Sequence, residues 1–271
     1  MPGPDRLAEL DAFLLELNRA SAAVILPLFR GDHGLENKAA EGVSYDPVTE
    51  ADRGAEAAIR RLIGERYPEH GVIGEEYGED RPDAEFVWVL DPVDGTRAFV
   101  AGLPVWTTLI GLRHQNDPVL GSIGQPYLDE VFIGGPAIGS RLIRGGAERA
   151  LKVRKGLPLT SAVIATTDPE GCFTGAELAA WRQVRAASRL ARLGCDAYAY
   201  AMVAAGTLDL VVEAGLKSWD VEAAVPVIEG AGGLVTDWRG ERIGREGGQM
   251  AIAGDRALLD EALVALRRAA E

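Results

Sequence analysis

The chain has 271 residues, is 47% hydrophobic and contains 33 glycines, which is enough to bury one large core or two modest ones. Its formal net charge of −13 argues against nonspecific nucleic-acid binding, which needs a basic face. Two cysteines cannot build a disulfide framework, so we expect a reducing, cytoplasmic home. No signal peptide is apparent, and the apolar run 22–28 is too short to span a bilayer, so we expect no membrane partner.

The first half of the chain is predicted to contain two helices followed by strands. Apolar residues at mixed spacings of three and four predict an amphipathic helix over 7–29. Thr49 to Asp52 resembles a capping box, and the helix behind it is expected to end at Arg66. The predicted strands are 72–74, 86–90, 107–112, 119–125 and 131–134, with more of the same over 141–153. Because the connections between them are short, the strands 107–112, 119–125 and 131–134 are expected to pair antiparallel.

The second half, from about residue 159, is predicted to alternate strands and helices. The predicted strands are 162–165, 208–212, 233–236 and 250–253. The predicted helices are 175–187, 196–205, 221–230 and 256–269. Two helices, then a β-rich stretch, then alternation indicate a layered α/β or α+β architecture. We therefore expect one catalytic unit with two halves, 1–156 and 157–271.

The segment 88–96, Trp-Val-Leu-Asp-Pro-Val-Asp-Gly-Thr, carries the strongest chemical signal. An apolar run leads to a turn at Asp91, and Asp94, Gly95 and Thr96 are expected to open a helix. Carboxylates are the oxygen ligands that hard divalent cations prefer. Backbone amides of Gly95 and Thr96 at a helix start can hold a phosphate. Metal ligands and phosphate donors this close together indicate metal-assisted phosphoester chemistry.

Other phosphate chemistries lack their residues. No Gly-Lys pair exists, which argues against a P-loop. Neither Cys172 nor Cys195 has an arginine six residues later, so a cysteine nucleophile is disfavoured. The three histidines are isolated in sequence, which gives little support to a zinc cluster or a phosphohistidine. The glycine-rich runs 134–139 and 230–233 do not fit a dinucleotide-binding fingerprint and are interpreted as turns and helix packing.

Carboxylates remain, in four groups: Asp46, Glu75 with Glu76, Asp91 with Asp94, and Asp220. Each has an ordinary interpretation when taken singly. Asp46 could start a turn, Glu75 could belong to an exposed charged loop, and Asp220 could be the N-cap of the helix that follows. The pair Asp91 and Asp94 is different because it ends a buried-looking strand, where functional residues concentrate in α/β folds.

Several segments together resemble one family, the metal-dependent inositol monophosphatases. They are Gly-Glu-Glu at 74–76, Asp-Pro-Val-Asp-Gly-Thr at 91–96, Trp-Asp at 219–220 and Ala-Gly-Gly at 231–233, and the segment 46–52 is similar to the family's N-terminal signature. The matches stand in family order and span most of the chain. The resemblance implies a layered αβαβα sandwich of the inositol monophosphatase and fructose-1,6-bisphosphatase type, and a homodimer.

The resemblance implies a set of metal ligands for two or three Mg²⁺ ions. Glu75, Asp91 and the backbone carbonyl of Val93 resemble the ligands of one ion. Asp91, Asp94 and Asp220 resemble the ligands of a second. Glu75 is also implied to take part in catalysis. Such metals lower the pKa of a bound water and neutralise substrate charge.

The resemblance also implies roles around the attacking water and the phosphate. Thr96 and Asp46 resemble the pair that orients or activates the water. Gly95 and Thr96 resemble the phosphate-binding amides. Glu76 resembles a supporting acidic position beside the ligands. Lys38 falls near a basic position of the family; it could equally be an ordinary lysine of a loop.

The alcohol portion of the substrate is implied to meet residues 194–200 and 211–216. Asp196 followed by the aromatic Tyr198 resembles the histidinol-phosphate phosphatase branch. Histidinol carries an amine and an imidazole, and Asp196 and Glu213 could pair with them; alternatively, Asp196 caps the next helix. The residues expected to contact substrate are Asp94, Gly95, Thr96, Gly194, Asp196, Glu213 and Asp220.

The leading hypothesis is a Mg²⁺-dependent histidinol-phosphate phosphatase of histidine biosynthesis, acting on a small phosphorylated metabolite. The alternative enzymes are an inositol-1-phosphate phosphatase and a broad sugar-phosphate phosphatase of the same fold. The alternative of another class is a regulatory binding protein with vestigial activity, which the intact ligand set disfavours.

Overall fold

A computed structural model describes residues 1–32, 34–37 and 47–270. Its helices are α1 (Pro4–Ile25), α2 (Glu50–Arg66), α3 (Thr96–Val100), α4 (Pro169–Cys172), α5 (Gly175–Ala187), α6 (Asp196–Ala204), α7 (Ser218–Glu222), α8 (Ala224–Gly230) and α9 (Arg256–Leu266). Its strands are β1 (Glu36–Asn37), β2 (Pro47–Val48), β3 (Gly71–Gly74), β4 (Gly78–Asp80), β5 (Phe86–Asp94), β6 (Thr107–His114), β7 (Asp117–Gln125), β8 (Glu130–Gly135), β9 (Gly139–Arg144), β10 (Ala147–Ala150), β11 (Val163–Thr166), β12 (Leu190–Leu193), β13 (Leu210–Leu216), β14 (Leu234–Thr236) and β15 (Gly248–Ala253). Short 3₁₀ turns cover Pro126–Leu128, Leu159–Ser161 and Arg267–Ala269.

Two large sheets organise the described residues. The first has eight strands in the order β10-β9-β8-β7-β6-β5-β3-β4, with a parallel β3–β5 pair and antiparallel neighbours elsewhere. The second has five strands in the order β12-β11-β13-β15-β14, in which β11 pairs parallel with β12 and β13. The sheets lie within 71–150 and 163–253, while the division into halves at residue 156 stays a prediction.

Helices cover the faces of both sheets. Helices α1 and α2 pack on the outer face of the first sheet, and α6, α7 and α8 lie between the two sheets. Helices α5 and α9 cover the outer face of the second sheet. The layers therefore run α, β, α, β, α, which confirms the predicted αβαβα sandwich.

The helices begin where the sequence supplies caps. Thr49 and Asp52 form the predicted capping box of α2, with the Thr49 N–H donating to Asp52 Oδ2 at 2.8 Å. Thr174 and Glu177 form a second capping box at α5. Helix α6 is buried on nearly all sides by small and aromatic residues, which suits a helix enclosed between two sheets. Among the described residues, no helix is long and apolar enough to cross a membrane.

Most predicted elements are confirmed, including the antiparallel order after residue 107, but several regions differ. The first helix ends at Ile25 rather than at residue 29, and residues 26–30 form turns. Residues 190–193 form the edge strand β12 through pairing with β11. Residues 221–230 belong to two short helices, α7 and α8. The predicted strand 208–212 instead runs from 210 to 216, so Glu213 lies inside β13 rather than at its end.

Candidate active site

The two carboxylates of β5 that are predicted to bind metal are brought to one side of the sheet by an irregularity in the strand. Asp91 pairs with Leu109 of β6, and Asp94 pairs with Thr107, so β5 contains one residue more than its partner. Side chains three positions apart in a regular strand point to opposite faces. The extra residue reverses that alternation, as β-bulges do beside functional sites. The predicted turn at Asp91 is therefore a bulged continuation of β5, and α3 begins at Thr96.

Asp220 joins the pair from α7 in the middle layer. One carboxylate oxygen from each of Asp91, Asp94 and Asp220 lies within 4.8 Å of the others. Asp220 is the third residue of α7, and its Oδ2 accepts the Lys217 N–H at 2.6 Å. The interpretation of Asp220 as an N-cap is therefore wrong, because Lys217 holds that position.

The three clustered carboxyls destabilise one another's charged forms. Burial, together with the charges of Glu75 and Asp94, raises the pKa of Asp91 well above its usual range. Burial, Asp196 and Asp220 do the same to the pKa of Asp94. Burial raises the pKa of Asp220 to about 6. Hard oxygen donors that repel each other in a partly buried cluster fit a divalent cation, whose charge would favour their ionised forms.

Glu75 and Val93 lie beside this cluster. The Glu75 N–H donates to the Leu90 carbonyl at 3.2 Å, so the turn after β3 runs alongside the end of β5. The carboxylate of Glu75 acts on the pKa of Asp91. The Val93 carbonyl accepts the Thr96 hydroxyl at 3.0 Å. Both predicted ligands thus sit next to the three clustered aspartates.

Thr96 faces Asp52, a residue predicted from the sequence only as part of the α2 capping box. Its hydroxyl lies 3.3 Å from Asp52 Oδ1, while Asp52 Oδ2 accepts from Thr49. Asp52 is 1% exposed, and burial raises the pKa of its carboxyl. The predicted partner of Thr96, Asp46, lies outside the described residues, as does Lys38. The signal that could have identified Asp52 is its double position, third in a capping box and inside the signature 46–52.

Gly95 adopts a conformation and occupies a space that suit only glycine. Its φ is +79°, and a Cβ at this position would lie 3.0 Å from Cγ and Oδ2 of Asp196. The predicted phosphate-binding amides of Gly95 and Thr96 therefore stand at the start of α3, directly beside the predicted substrate residue Asp196.

The predicted substrate residues of the second half face the same region. Asp196 has a φ of +46°, uncommon for a residue other than glycine, and the N-cap of α6 is Cys195, so the interpretation of Asp196 as a cap is wrong. Burial raises the pKa of Asp196 to about 6 and that of Glu213 to about 7. Thr167 donates to Glu213 Oε1 at 2.9 Å. Gly194, with φ of +71°, lies between β12 and α6.

Asp94 connects the two regions. Its Oδ2 accepts the Ala197 N–H at 2.8 Å and lies 3.2 Å from the Thr107 hydroxyl. The start of α6 is thereby fixed to the end of β5. At the surface, Arg97 Nη1 lies 3.4 Å from Asp168 Oδ2, a second link between the start of α3 and the second half of the chain. An acidic cluster suited to a divalent cation, two amides suited to a phosphate and a second acidic region beside them indicate the class of metal-dependent phosphatases with an αβαβα sandwich.

Comparison with known proteins agrees with this class. Residues 6–271 match the inositol monophosphatase family. The chain is 41% identical over 250 residues to the bifunctional phosphatase IMPL2, chloroplastic, of Arabidopsis thaliana, covering 90% of this chain and 70% of that protein. It is 33% identical over 229 residues to a histidinol-phosphatase of Mycobacterium tuberculosis, covering 81% and 84%. The solved structure of an inositol monophosphatase from Zymomonas mobilis has a TM-score of 0.84 at 36% identity, covering 96% and 98%.

The chain therefore belongs to the inositol monophosphatase family. It is a phosphatase that hydrolyses phosphomonoesters of small phosphorylated substrates, and its family is metal-dependent.

Proposed function

We propose that this phosphatase hydrolyses histidinol phosphate with Mg²⁺. The observation that carries the proposal is the pair Asp196 and Glu213 beside the acid cluster. Burial raises the pKa of Asp196 to about 6 and that of Glu213 to about 7. A cationic amine or imidazole placed between them would favour their ionised forms through charge-assisted hydrogen bonds. A neutral polyol offers no such compensation.

The backbone at Asp196 supports a binding role. A positive φ for a residue other than glycine costs energy and persists where the surroundings enforce it, often at functional sites. The neighbouring Gly95 leaves room for the Asp196 carboxylate, which a Cβ would crowd at 3.0 Å. In this proposal Asp196, Glu213 and Gly194 bind the alcohol portion, and Gly95 and Thr96 bind the phosphate through their amides.

The metal is proposed to be Mg²⁺, held by carboxylate and carbonyl oxygens. Glu75, Asp91 and the Val93 carbonyl would hold one ion, and Asp91, Asp94 and Asp220 a second. When bound, Mg²⁺ lowers the pKa of a water and neutralises phosphate charge. The oxygen-only donor set matches the preference of this ion.

The attacking water is proposed to be oriented by Thr96 and Asp52. The Thr96 hydroxyl lies 3.0 Å from the Val93 carbonyl and 3.3 Å from Asp52 Oδ1, and its single proton can turn toward either acceptor, so it lies between the proposed metal site and a buried carboxylate. Asp52 can receive a proton passed through the hydroxyl, because burial raises the pKa of its carboxyl. Asp46, predicted for this role, stays a candidate.

A second candidate function is hydrolysis of inositol 1-phosphate or a range of sugar phosphates. The observation that favours it is the 36% identity to the inositol monophosphatase of Zymomonas mobilis over nearly the whole chain. A cytoplasmic homodimer completes the proposal on family resemblance, and light scattering on the purified protein tests the dimer.

The substrate assignment is tested with Asp196→Asn and a panel of histidinol phosphate, inositol 1-phosphate and fructose 1,6-bisphosphate. We expect wild type to prefer histidinol phosphate. The variant should lower kcat/KM for that substrate by about 10- to 100-fold, the scale of one charge-assisted contact, and change the others by less than about threefold. Asp129→Asn is the matched control, since Asp129 also has a positive φ, of 55°, on the β7–β8 turn. A preference for inositol 1-phosphate, or an equal loss on all substrates, contradicts the assignment.

A further inference from the structure

A buried glutamate of α2, Glu56, lies beneath the turn that carries Glu75. Its side chain is fully shielded from solvent. Glu56 Oε2 accepts the Glu76 N–H at 2.8 Å, and Oε1 accepts the Tyr77 N–H at 3.2 Å. Arg60, one turn further along α2, donates its Nε to Oε1 at 2.7 Å. One carboxylate therefore ties two consecutive backbone amides of the β3–β4 turn to the helix.

Gly74, just before the turn, leaves space for the Glu56 carboxylate. A Cβ on Gly74 would lie 2.1 Å from Glu56 Oε1 and 2.4 Å from its Cδ, so any other residue would collide with the side chain. Gly74 does not have a positive φ, so space rather than backbone conformation demands glycine here. Gly74 and Glu56 fit as a pair, and the pair sits directly before Glu75.

The turn is held from the other side as well. The Glu75 N–H donates to the Leu90 carbonyl of β5, one residue before Asp91. Of the three consecutive amides, the one at 75 is thus bonded to β5, and those at 76 and 77 are bonded to Glu56. With its backbone fixed at three successive residues, Glu75 has little freedom to withdraw from Asp91, whose pKa its charge raises.

We propose that Glu56 is a positioning residue that holds Glu75 in place to bind the metal ion. This inference rests on the proposed assignment of Glu75 as a metal ligand. Glu56 is not itself assigned as a ligand, because three protein donors already occupy its two oxygens. Buried partners that orient a metal ligand in this way contribute about 10- to 100-fold to metal affinity.

The buried charge of Glu56 is also balanced by the positive charge of Arg60. Arg60 is only 19% exposed at its side chain, and its Nη2 donates to the Gly78 carbonyl. The guanidinium therefore joins α2 to the Gly78 end of the turn and offsets a carboxylate that would otherwise be costly to bury. If the glutamate only stabilised α2, it could form the same i,i+4 ion pair with Arg60 at the protein surface, where its charge would not have to be removed from water.

The test measures metal binding without substrate, in the full chain. Mg²⁺ affinity is determined by calorimetry, and Mn²⁺ affinity by electron paramagnetic resonance, for wild type and Glu56→Gln. The variant keeps the size of the side chain but presents an amide group to one of three donors. We expect the dissociation constant to rise about 10- to 100-fold. Hydrogen exchange of the amides at 76 and 77 should become at least about tenfold faster.

Glu177→Gln is the matched control. Glu177 is also a buried helix glutamate, 4% exposed, whose Oε2 accepts a backbone N–H, from Thr174 at 2.7 Å. It lies on α5, away from the acid cluster, so its substitution should leave metal affinity within about twofold of wild type. Circular dichroism establishes that each variant is folded. If Glu56→Gln does not fold, Glu56→Asp, which keeps the charge but shortens the side chain, takes its place with the same expected loss of affinity.

A kinetic split separates positioning from general destabilisation. Glu56→Gln should raise the Mg²⁺ concentration for half-maximal activity while kcat at saturating Mg²⁺ stays within about threefold. Gly74→Ala, with Glu56 intact, should reproduce the weaker metal binding because its Cβ displaces the carboxylate. Unchanged metal affinity in Glu56→Gln with faster exchange at 76 and 77 overturns the inference. Unchanged affinity in Glu75→Gln instead overturns the proposed ligand assignment, so the two failures are distinguishable.

Discussion

At the residue scale, the Asp52 side chain serves two purposes, one toward α2 and one toward Thr96. Asp52 Oδ2 caps α2 by accepting the Thr49 N–H, while its Oδ1 lies 3.3 Å from the Thr96 hydroxyl. A capping contact holds the carboxylate in one rotamer, so the oxygen facing Thr96 is preorganised. The structural and proposed catalytic roles therefore depend on different oxygens of one group.

Asp52→Asn is expected to lower kcat by about 10²- to 10⁴-fold with little change in KM, the range for a lost general base. Thr49→Ala is its control, because it removes the cap hydroxyl and that group's hydrogen bond to Asp52 Oδ2, costing about 1 kcal/mol of stability, but keeps the Asp52 carboxylate and the Thr49 N–H that holds it. Steady-state phosphate release measures both. Asp46→Asn is compared in the same assay. A large loss there with near-normal activity in Asp52→Asn would return the role to Asp46.

At the scale of elements, the middle helices sit unusually close to the first sheet. A Cβ on Gly121 of β7 would lie 2.3 Å from the Ala223 carbonyl, and one on Gly111 of β6 would lie 2.8 Å from the Glu222 carbonyl carbon. These two glycines let the backbone of α7 and α8 rest on the strands. Asp220 reaches Asp91 and Asp94 because its helix can come this near.

Gly121→Ala is expected to destabilise the fold by about 1–3 kcal/mol, the usual range for overpacking, and to weaken metal binding by shifting α7. Gly64→Ala is the matched control, since Gly64 lies in α2 with no atom within 4 Å of an added Cβ. Alanine is favoured over glycine in a helix by up to about 1 kcal/mol, so the control should be stabilised. Urea unfolding measures both. Equal stability of Gly121→Ala and wild type would refute the close-contact explanation.

The same scale shows why the strands were predicted better than their irregularities. The apolar runs around Val89 and Ile110 identify β5 and β6 because burial depends on local pattern. The bulge between Asp91 and Asp94 depends on where Thr107 and Leu109 fall in the facing strand. Likewise, β12 is a strand because β11 lies beside it. Pairing register involves distant residues, so no local pattern could reveal it.

At the scale of the whole molecule, His70 links the N-terminal helix region to the first sheet. The ring is 1% exposed and stacks on Tyr67 and Phe86, with centroids 4.5 Å and 4.9 Å away. Trp88 Nε1 donates to His70 Nδ1 at 3.0 Å, which keeps that nitrogen free of a proton. Burial lowers the pKa of His70 to about 4, so folding favours the neutral ring.

The free energy of unfolding should therefore decrease as the pH falls from 6.5 to about 4. Above pH 6.5, the ordinary pKa, both folded and unfolded states carry a neutral ring and no penalty arises. Between 6.5 and about 4 only the unfolded state takes up the proton, at a cost to folding of up to about 3 kcal/mol. Urea unfolding of wild type and His70→Gln at pH 7.5, 6 and 4.5 measures the difference, with His114→Gln as control. A wild-type-minus-variant difference independent of pH would contradict this account.

The sequence by itself determined the layered architecture, the helix caps and the identities of the acidic groups, because periodicity, capping and short motifs act within a few residues. Asp91, Asp94 and Asp220 could be named, but their gathering within 4.8 Å required a bulge and two glycines on other strands. Only the tertiary structure placed Asp52 beside Thr96, Glu213 inside β13, and Glu56 beneath Gly74. Those contacts join residues far apart in sequence, or depend on strand register, and packing rather than local sequence decides which atoms meet.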